Sequence, residues 1–150
     1  MEVLFIMTMD EFDYLKKLAD EGDVECQFAV GVLYYGEKEI PQDYEKSFQY
    51  LKKAAENGNV KAQTLLGHYY RDGLGVAQES TQSIYWFRKA AEQGDVESQN
   101  ILGHCYRQGK GVEQDFDQAI FWFKKAVEQG DTDAQQMIEA CQSIRQLLGK

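Results

Sequence analysis

Two histidines, His68 and His104, and three cysteines, Cys26, Cys105 and Cys141, are the side chains of this 150-residue chain best suited to metal binding or nucleophilic attack. Their spacing argues against both. His104 and Cys105 are neighbours, and adjacent residues on a helix diverge by about 100°, so the two do not share a ligand-bearing face. No C-x-x-C or H-x-x-x-H places two donors on one side of a helix. Cys105 and Cys141 stand 36 residues apart, at one station of successive copies of a repeat. Packed helices run roughly 8–10 Å apart, whereas a disulfide needs its Cα atoms within about 7 Å, so this pair is expected to stay reduced. Cys26 aligns with Ala62, Ser98 and Ala134 and reads as a small core residue. Three structural thiols fit a reducing compartment.

Carboxylates are plentiful, but on amphipathic helices they describe a solvated face. No nucleophile elbow, P-loop or dinucleotide fingerprint is present. The chain is therefore expected to have no catalytic residues, no bound metal and no cofactor. Its formal net charge of −9 disfavours a nucleic-acid partner, which is gripped by lysines and arginines that displace counterions. A neutral or basic protein is the expected partner. The acidity is uneven: residues 1–58 carry 13 acidic against 6 basic side chains, so the negative potential gathers at the N-terminal end. The opening "MEVLFIMTMDEFD" lacks a basic region and a long apolar core, and no stretch approaches the roughly 20 apolar residues of a membrane span. A cytoplasmic chain without membrane contact, monomeric or weakly self-associating, is the expectation.

The elements that would position any site are written in a repeat. "KAAENG" at Lys53–Gly58, "KAAEQG" at Lys89–Gly94 and "KAVEQG" at Lys125–Gly130 lie 36 residues apart, as do Gly31, Gly67 and Gly103. The register gives a tail (1–8), a leading half copy (9–22), three copies (23–58, 59–94 and 95–130) and a closing helix (131–150). A period of this size makes each copy one supersecondary unit that buries its apolar face only against its neighbours.

Each copy is expected to hold two helices. Asp23, Asn59, Asp95 and Asp131 each follow a glycine, which can end one helix in the left-handed conformation while the next residue caps the following one. The first helix carries Val30, Gly31 and Tyr34, then Leu66, Gly67 and Tyr70, then Leu102, Gly103 and Tyr106 along one stripe. A mid-helix glycine costs about 1 kcal/mol, so its recurrence predicts a partner helix crossing too closely for a side chain. "DGLGV" at Asp72–Val76 and "QGKGV" at Gln108–Val112 supply glycine turns, whereas "GEKEIPQ" at Gly36–Gln42 predicts another path. Second helices begin near Asp43, Glu79 and Asp115. They bury Phe48, Tyr50, Leu51, Ala54 and Ala55, then Ile84, Trp86, Phe87, Ala90 and Ala91, then Ile120, Trp122, Phe123, Ala126 and Val127.

"LGHYYRDGLGV" from Leu66 with "YWFRKAAEQG" to Gly94, and "LGHCYRQGKGV" with "FWFKKAVEQG", resemble the Sel1-like repeat, a relative of the tetratricopeptide repeat. The resemblance implies an all-α fold, an α/α right-handed solenoid of antiparallel helix pairs. It also implies a non-enzymatic adaptor or scaffold that binds a protein segment through the concave side lined by first helices. By this analogy the partner-binding positions are Thr64, His68 and Arg71 in the second copy and Asn100, His104 and Arg107 in the third, a ladder of donors and acceptors suited to an extended peptide. The same stations of the first copy hold Phe28, Val32 and Tyr35. Those apolar groups are expected to be covered by the tail or to anchor the partner. The alternative to an adaptor is an immunity-type inhibitor that neutralises a toxin or enzyme by direct binding.

Overall fold

A computed structural model describes residues 7–36 and 40–149. Eight helices follow one another among the described residues: α1 (Met9–Asp20), α2 (Val24–Gly36), α3 (Tyr44–Glu56), α4 (Val60–Asp72), α5 (Ser80–Glu92), α6 (Val96–Gln108), α7 (Phe116–Glu128) and α8 (Asp133–Leu147). Each packs against the next, the tightest pairs being α2 with α3, α4 with α5 and α6 with α7. These are the three helical hairpins of the repeat. No strand occurs among the described residues.

The junctions form as their residue types dictate. Gly58, Gly94 and Gly130 take φ of 91°, 95° and 94°, beyond the easy reach of other residues. The residue after each then donates its N–H five positions back, Asn59 to Ala54, Asp95 to Ala90 and Asp131 to Ala126, which satisfies carbonyls left over at the helix end. Its side chain caps the next helix. Asp23 accepts from Cys26 N at 2.8 Å, Asn59 from Ala62 N at 2.9 Å and Asp95 from Ser98 N at 2.8 Å. The turn between the helices of a pair is closed by a glutamine in every copy: Gln42, Gln78 and Gln114 donate to the carbonyls of Tyr35, Arg71 and Arg107 at 2.6–2.8 Å. The first copy keeps this closure although its sequence departs there. Residues 37–39 of its loop, and the tail residues 1–6 expected to cover Phe28, Val32 and Tyr35, lie outside the described residues.

Glycine marks the crossing of each pair. A Cβ on Gly31 would lie 2.7 Å from Leu51, and one on Gly67 or Gly103 would lie 2.6 Å from the ring of Phe87 or Phe123. Real Cβ atoms do not approach so closely, so the second helix keys a large side chain into the notch left by the first. Beside it, Ser47 and Ser83 donate to the carbonyls of Gly31 and Gly67 at 2.6 and 2.8 Å. Ala119 fills that place in the third copy. At the same station of α8 stands Glu139, an exposed residue, so that helix offers no notch.

The apolar side chains form three clusters along the stack. Most expected core positions are buried, Trp86, Phe87, Trp122 and Phe123 among them, whereas Phe48 and Val127 are half-buried. One position of the first-helix stripe shifts. In α4 the fully buried tyrosine is Tyr69, with Tyr70 only half-buried. The Tyr69 hydroxyl hydrogen-bonds Ser47 Oγ, so Tyr69 links the second copy to the first through the serine that grips Gly31. Burial raises its pKa above the usual phenol range.

Candidate protein-binding surface

Helices α2, α4 and α6 present a shared face, since every second helix lies on their other side. Between α2 and α4 this face opens into a pocket of 320 Å³. Val32 and Tyr35 line it from α2, Leu51 from α3, Leu65, His68, Tyr69, Arg71 and Asp72 from α4, and Leu74 from the following turn. Four of the positions expected to meet a partner, Val32, Tyr35, His68 and Arg71, are thus brought to one cavity. Val32 is half-buried against the core. Tyr35 stays half-exposed, packed edge-on against Tyr44 at 5.6 Å and tilted on Tyr69 at 6.3 Å.

Two arginines at equivalent stations have different surroundings. Arg71 is held by its neighbour Asp72 through two parallel bonds, Nε to Oδ1 at 2.7 Å and Nη2 to Oδ2 at 2.8 Å. The guanidinium in turn keeps the Asp72 carboxyl below the usual carboxylate range. In the next copy Gln108 replaces that aspartate. Among the described residues no carboxylate pairs with Arg107, and its Nε is buried without an acceptor. The histidines differ too. His68 sets its ring edge against Phe87 with centroids 5.0 Å apart, and its Nε2 lies 2.9 Å from Glu97 Oε1. His104 packs on Phe123 at 5.1 Å, and burial, helped by the Arg107 charge, lowers its pKa below the ordinary value.

Three expected positions sit in the seam between copies instead. Thr64 is only 6% exposed; its hydroxyl donates to Asp95 Oδ2 at 3.0 Å and lies 3.1 Å from Ser98 Oγ, so it braces the cap of α6. Asn100 does the same in the next copy, donating its side-chain amide to Asp131 Oδ2. That bond lowers the pKa of the Asp131 carboxyl. The aromatic Phe28 occupies the station in the first copy and is half-buried against the core that α4 shares. Thr64 and Asn100, expected as rungs of a polar ladder, thus each hydrogen-bond the cap of the neighbouring helix. Leu65 and Leu74 line the pocket and were not singled out by the repeat. Comparison of copies masks them, because their counterparts, Ile101 and Lys110, do not share one type.

Among the described residues, no group of three histidine, cysteine or acidic side chains is placed to hold a metal ion, and no helix is long and apolar enough to cross a membrane. Stacked hairpins with glycine-notched crossings and a pocketed first-helix face define an α/α solenoid, the architecture of a protein-interaction scaffold. Residues 24–59, 60–95 and 96–131 each match the Sel1 repeat, and the chain belongs to that family. Such repeats generally serve as non-catalytic interaction modules.

Solved structures agree. A protective antigen present in uropathogenic Escherichia coli strains, displaying an SLR fold, is 36% identical with a TM-score of 0.78 over 83% of this chain, which spans 27% of the antigen. A Sel1 repeat protein from Oxalobacter formigenes is 35% identical with a TM-score of 0.74, covering 79% of this chain and 90% of its own. Cysteine rich protein B of Helicobacter pylori is 25% identical with a TM-score of 0.67, covering 87% and 97%. No curated protein matches the chain. The likeness to these solenoids fixes the hairpin stack as right-handed.

Proposed function

We propose that the chain is a non-enzymatic cytoplasmic adaptor whose first-helix face, the concave side of the solenoid, clasps a segment of a partner protein. The 320 Å³ pocket between α2 and α4 carries this reading. Its apolar residues from two successive copies stand beside His68 and Arg71, the combination that seats one large side chain and fixes its backbone. Leu51 and Tyr69, buried side chains of the stack, also line the pocket, so a side chain seated there rests on the core.

The experiment is affinity capture from the native cell with the full chain, compared with a chain carrying Tyr35→Ala and Arg71→Ala and with one carrying Tyr85→Ala on a second helix. A partner held in the groove is retained by the original and the Tyr85 variant and released by the double variant, while circular dichroism shows equal helix content in all three. Retention by all three would refute the assignment.

A further inference from the structure

The positions that line the apolar pocket have counterparts one copy further along, where Ile101, His104 and Arg107 keep the character of Leu65, His68 and Arg71 but four others change chemistry. At those four stations one period along, His68 stands for Val32, Arg71 for Tyr35, Lys110 for Leu74 and Gln108 for Asp72. Three of these positions gain a donor or a cation, and the station of Asp72 loses its carboxylate to Gln108.

The backbone makes these replacements equivalent in space. Gly73 and Gly109 take φ of 70° and 68°, and the following N–H groups, of Leu74 and Lys110, reach back to Tyr69 O and Cys105 O at 3.1 and 3.0 Å. Lys110 therefore leaves the turn where Leu74 does. The positive charges reach the centre of this second site: Lys110 and Arg71 both act on the Cys105 thiol, lowering its pKa against the rise caused by burial. Arg71 is already matched by Asp72, and His68 by Glu97. Arg107 and Lys110 form no ion pair among the described residues, and Arg107 keeps a buried Nε–H with no acceptor. A buried donor without a partner is costly, and the remaining N–H groups of a guanidinium match the planar fork of a carboxylate.

We infer that Arg107 and Lys110 form a carboxylate-binding subsite that takes an aspartate or glutamate side chain of the partner segment seated in the apolar pocket. The inference rests on the groove reading above. It also separates the local field from the net charge of −9: an acidic chain presents two cations without an ion pair among the described residues, Arg107 and Lys110, on the binding face. Neighbouring packed helices lie about 10 Å apart and an extended chain covers about 3.3 Å per residue. The recognised segment thus carries a large apolar residue and an acid about three residues apart.

The test uses the full ¹⁵N-labelled chain and four acetylated, amidated peptides: a phenylalanine three residues before a glutamate, the reverse order, and the glutamine version of each. One glutamate peptide is expected to shift the Arg107 Nε–Hε and Lys110 amide resonances together with those of Val32 and Tyr35. It should bind about tenfold more tightly than its glutamine version. In Arg107→Gln this preference is expected to shrink to less than about twofold. Equal affinity of glutamate and glutamine peptides, with shifts at Val32 and Tyr35, would overturn the carboxylate subsite and leave the groove standing. Shifts at neither place would overturn both.

Discussion

A single missing methylene in the first copy yields the sharpest quantitative prediction. In the later copies a buried glutamine ties each first helix to the pair before it, and both ends of its amide are used. Gln63 donates to Ala55 O at 3.1 Å and accepts from Gln93 Nε2 at 2.7 Å; Gln99 donates to Ala91 O at 3.0 Å and accepts from Gln129 Nε2 at 2.9 Å. Gln27, 5% exposed, donates to Ala19 O at 3.1 Å, but its Oε1 is buried without a partner. The residue that would supply the donor is Asn57, too short to reach, and it turns to donate to Lys53 O at 2.8 Å. The backbone at the three donor stations is alike, with φ and ψ of −90° and 13° at Asn57, −88° and 5° at Gln93, and −100° and 10° at Gln129. Asn57→Gln therefore fits without strain. A buried acceptor left unpaired costs about 1–3 kcal/mol and a new hydrogen bond returns about 0.5–1.5 kcal/mol net. Losing the exposed bond to Lys53 and ordering one more rotor offset part of this, so a gain of about 1 kcal/mol is expected. For a chain of this size that raises Tm by about 2–4 °C. Calorimetry and urea unfolding at unchanged m-value read it, and the same substitution in a Gln27→Met background should give nothing. A gain of equal size in both backgrounds, or none in the original, would refute the account.

Other consequences follow from neighbouring features. Gly67→Ala should destabilise the chain by about 2 kcal/mol in urea unfolding, because its Cβ would meet the buried Phe87 ring at 2.6 Å. Gly58→Ala, at φ 91° with nothing within 4 Å, should cost only the backbone strain, about 1 kcal/mol. Tyr69→Phe removes the hydroxyl that hydrogen-bonds Ser47 and should cost about 1 kcal/mol; Tyr70→Phe, measured the same way, should stay within about 0.5 kcal/mol of the original. The His104 pKa is lowered from an ordinary 6.5, so between 6.5 and the folded value the unfolded chain binds more protons. Stability should therefore fall as pH drops below 6.5, and His104→Gln should flatten that slope in urea midpoints taken from about pH 7 to about pH 5.

The fold was legible in the sequence because the same physical problem is solved three times with the same residue types. A glycine 36 residues from another, followed each time by Asp or Asn, states a helix end and a helix start together, and α2, α4 and α6 begin where that signal stands. The notch was legible for a related reason: glycine is a poor helix former, so Gly31, Gly67 and Gly103 needed a cause outside their own helix, and Leu51, Phe87 and Phe123 supply it. Tyr69 was not legible. Its counterparts are Leu33 and Cys105, and with Tyr70 beside it only the three-dimensional path decides which ring turns inward.

The site was read less well, and the cause is the same periodicity. A station that looks free on one helix borders the next helix start, and whether it stays free depends on the cap there. Thr64 and Asn100 can each hydrogen-bond an aspartate, and Asp95 and Asp131 stand within reach, so both are drawn into the seam. One helical turn further on, His68 and Arg71 face Glu97 and Asp72, exposed partners that a ligand can compete with. Beyond them the balance breaks, because Gln108 leaves Arg107 without its acid. In a solenoid the copies agree at most of the positions that make the stack. The information about the partner accordingly lies in pairs of positions where one copy answers a charge and the next leaves it unanswered.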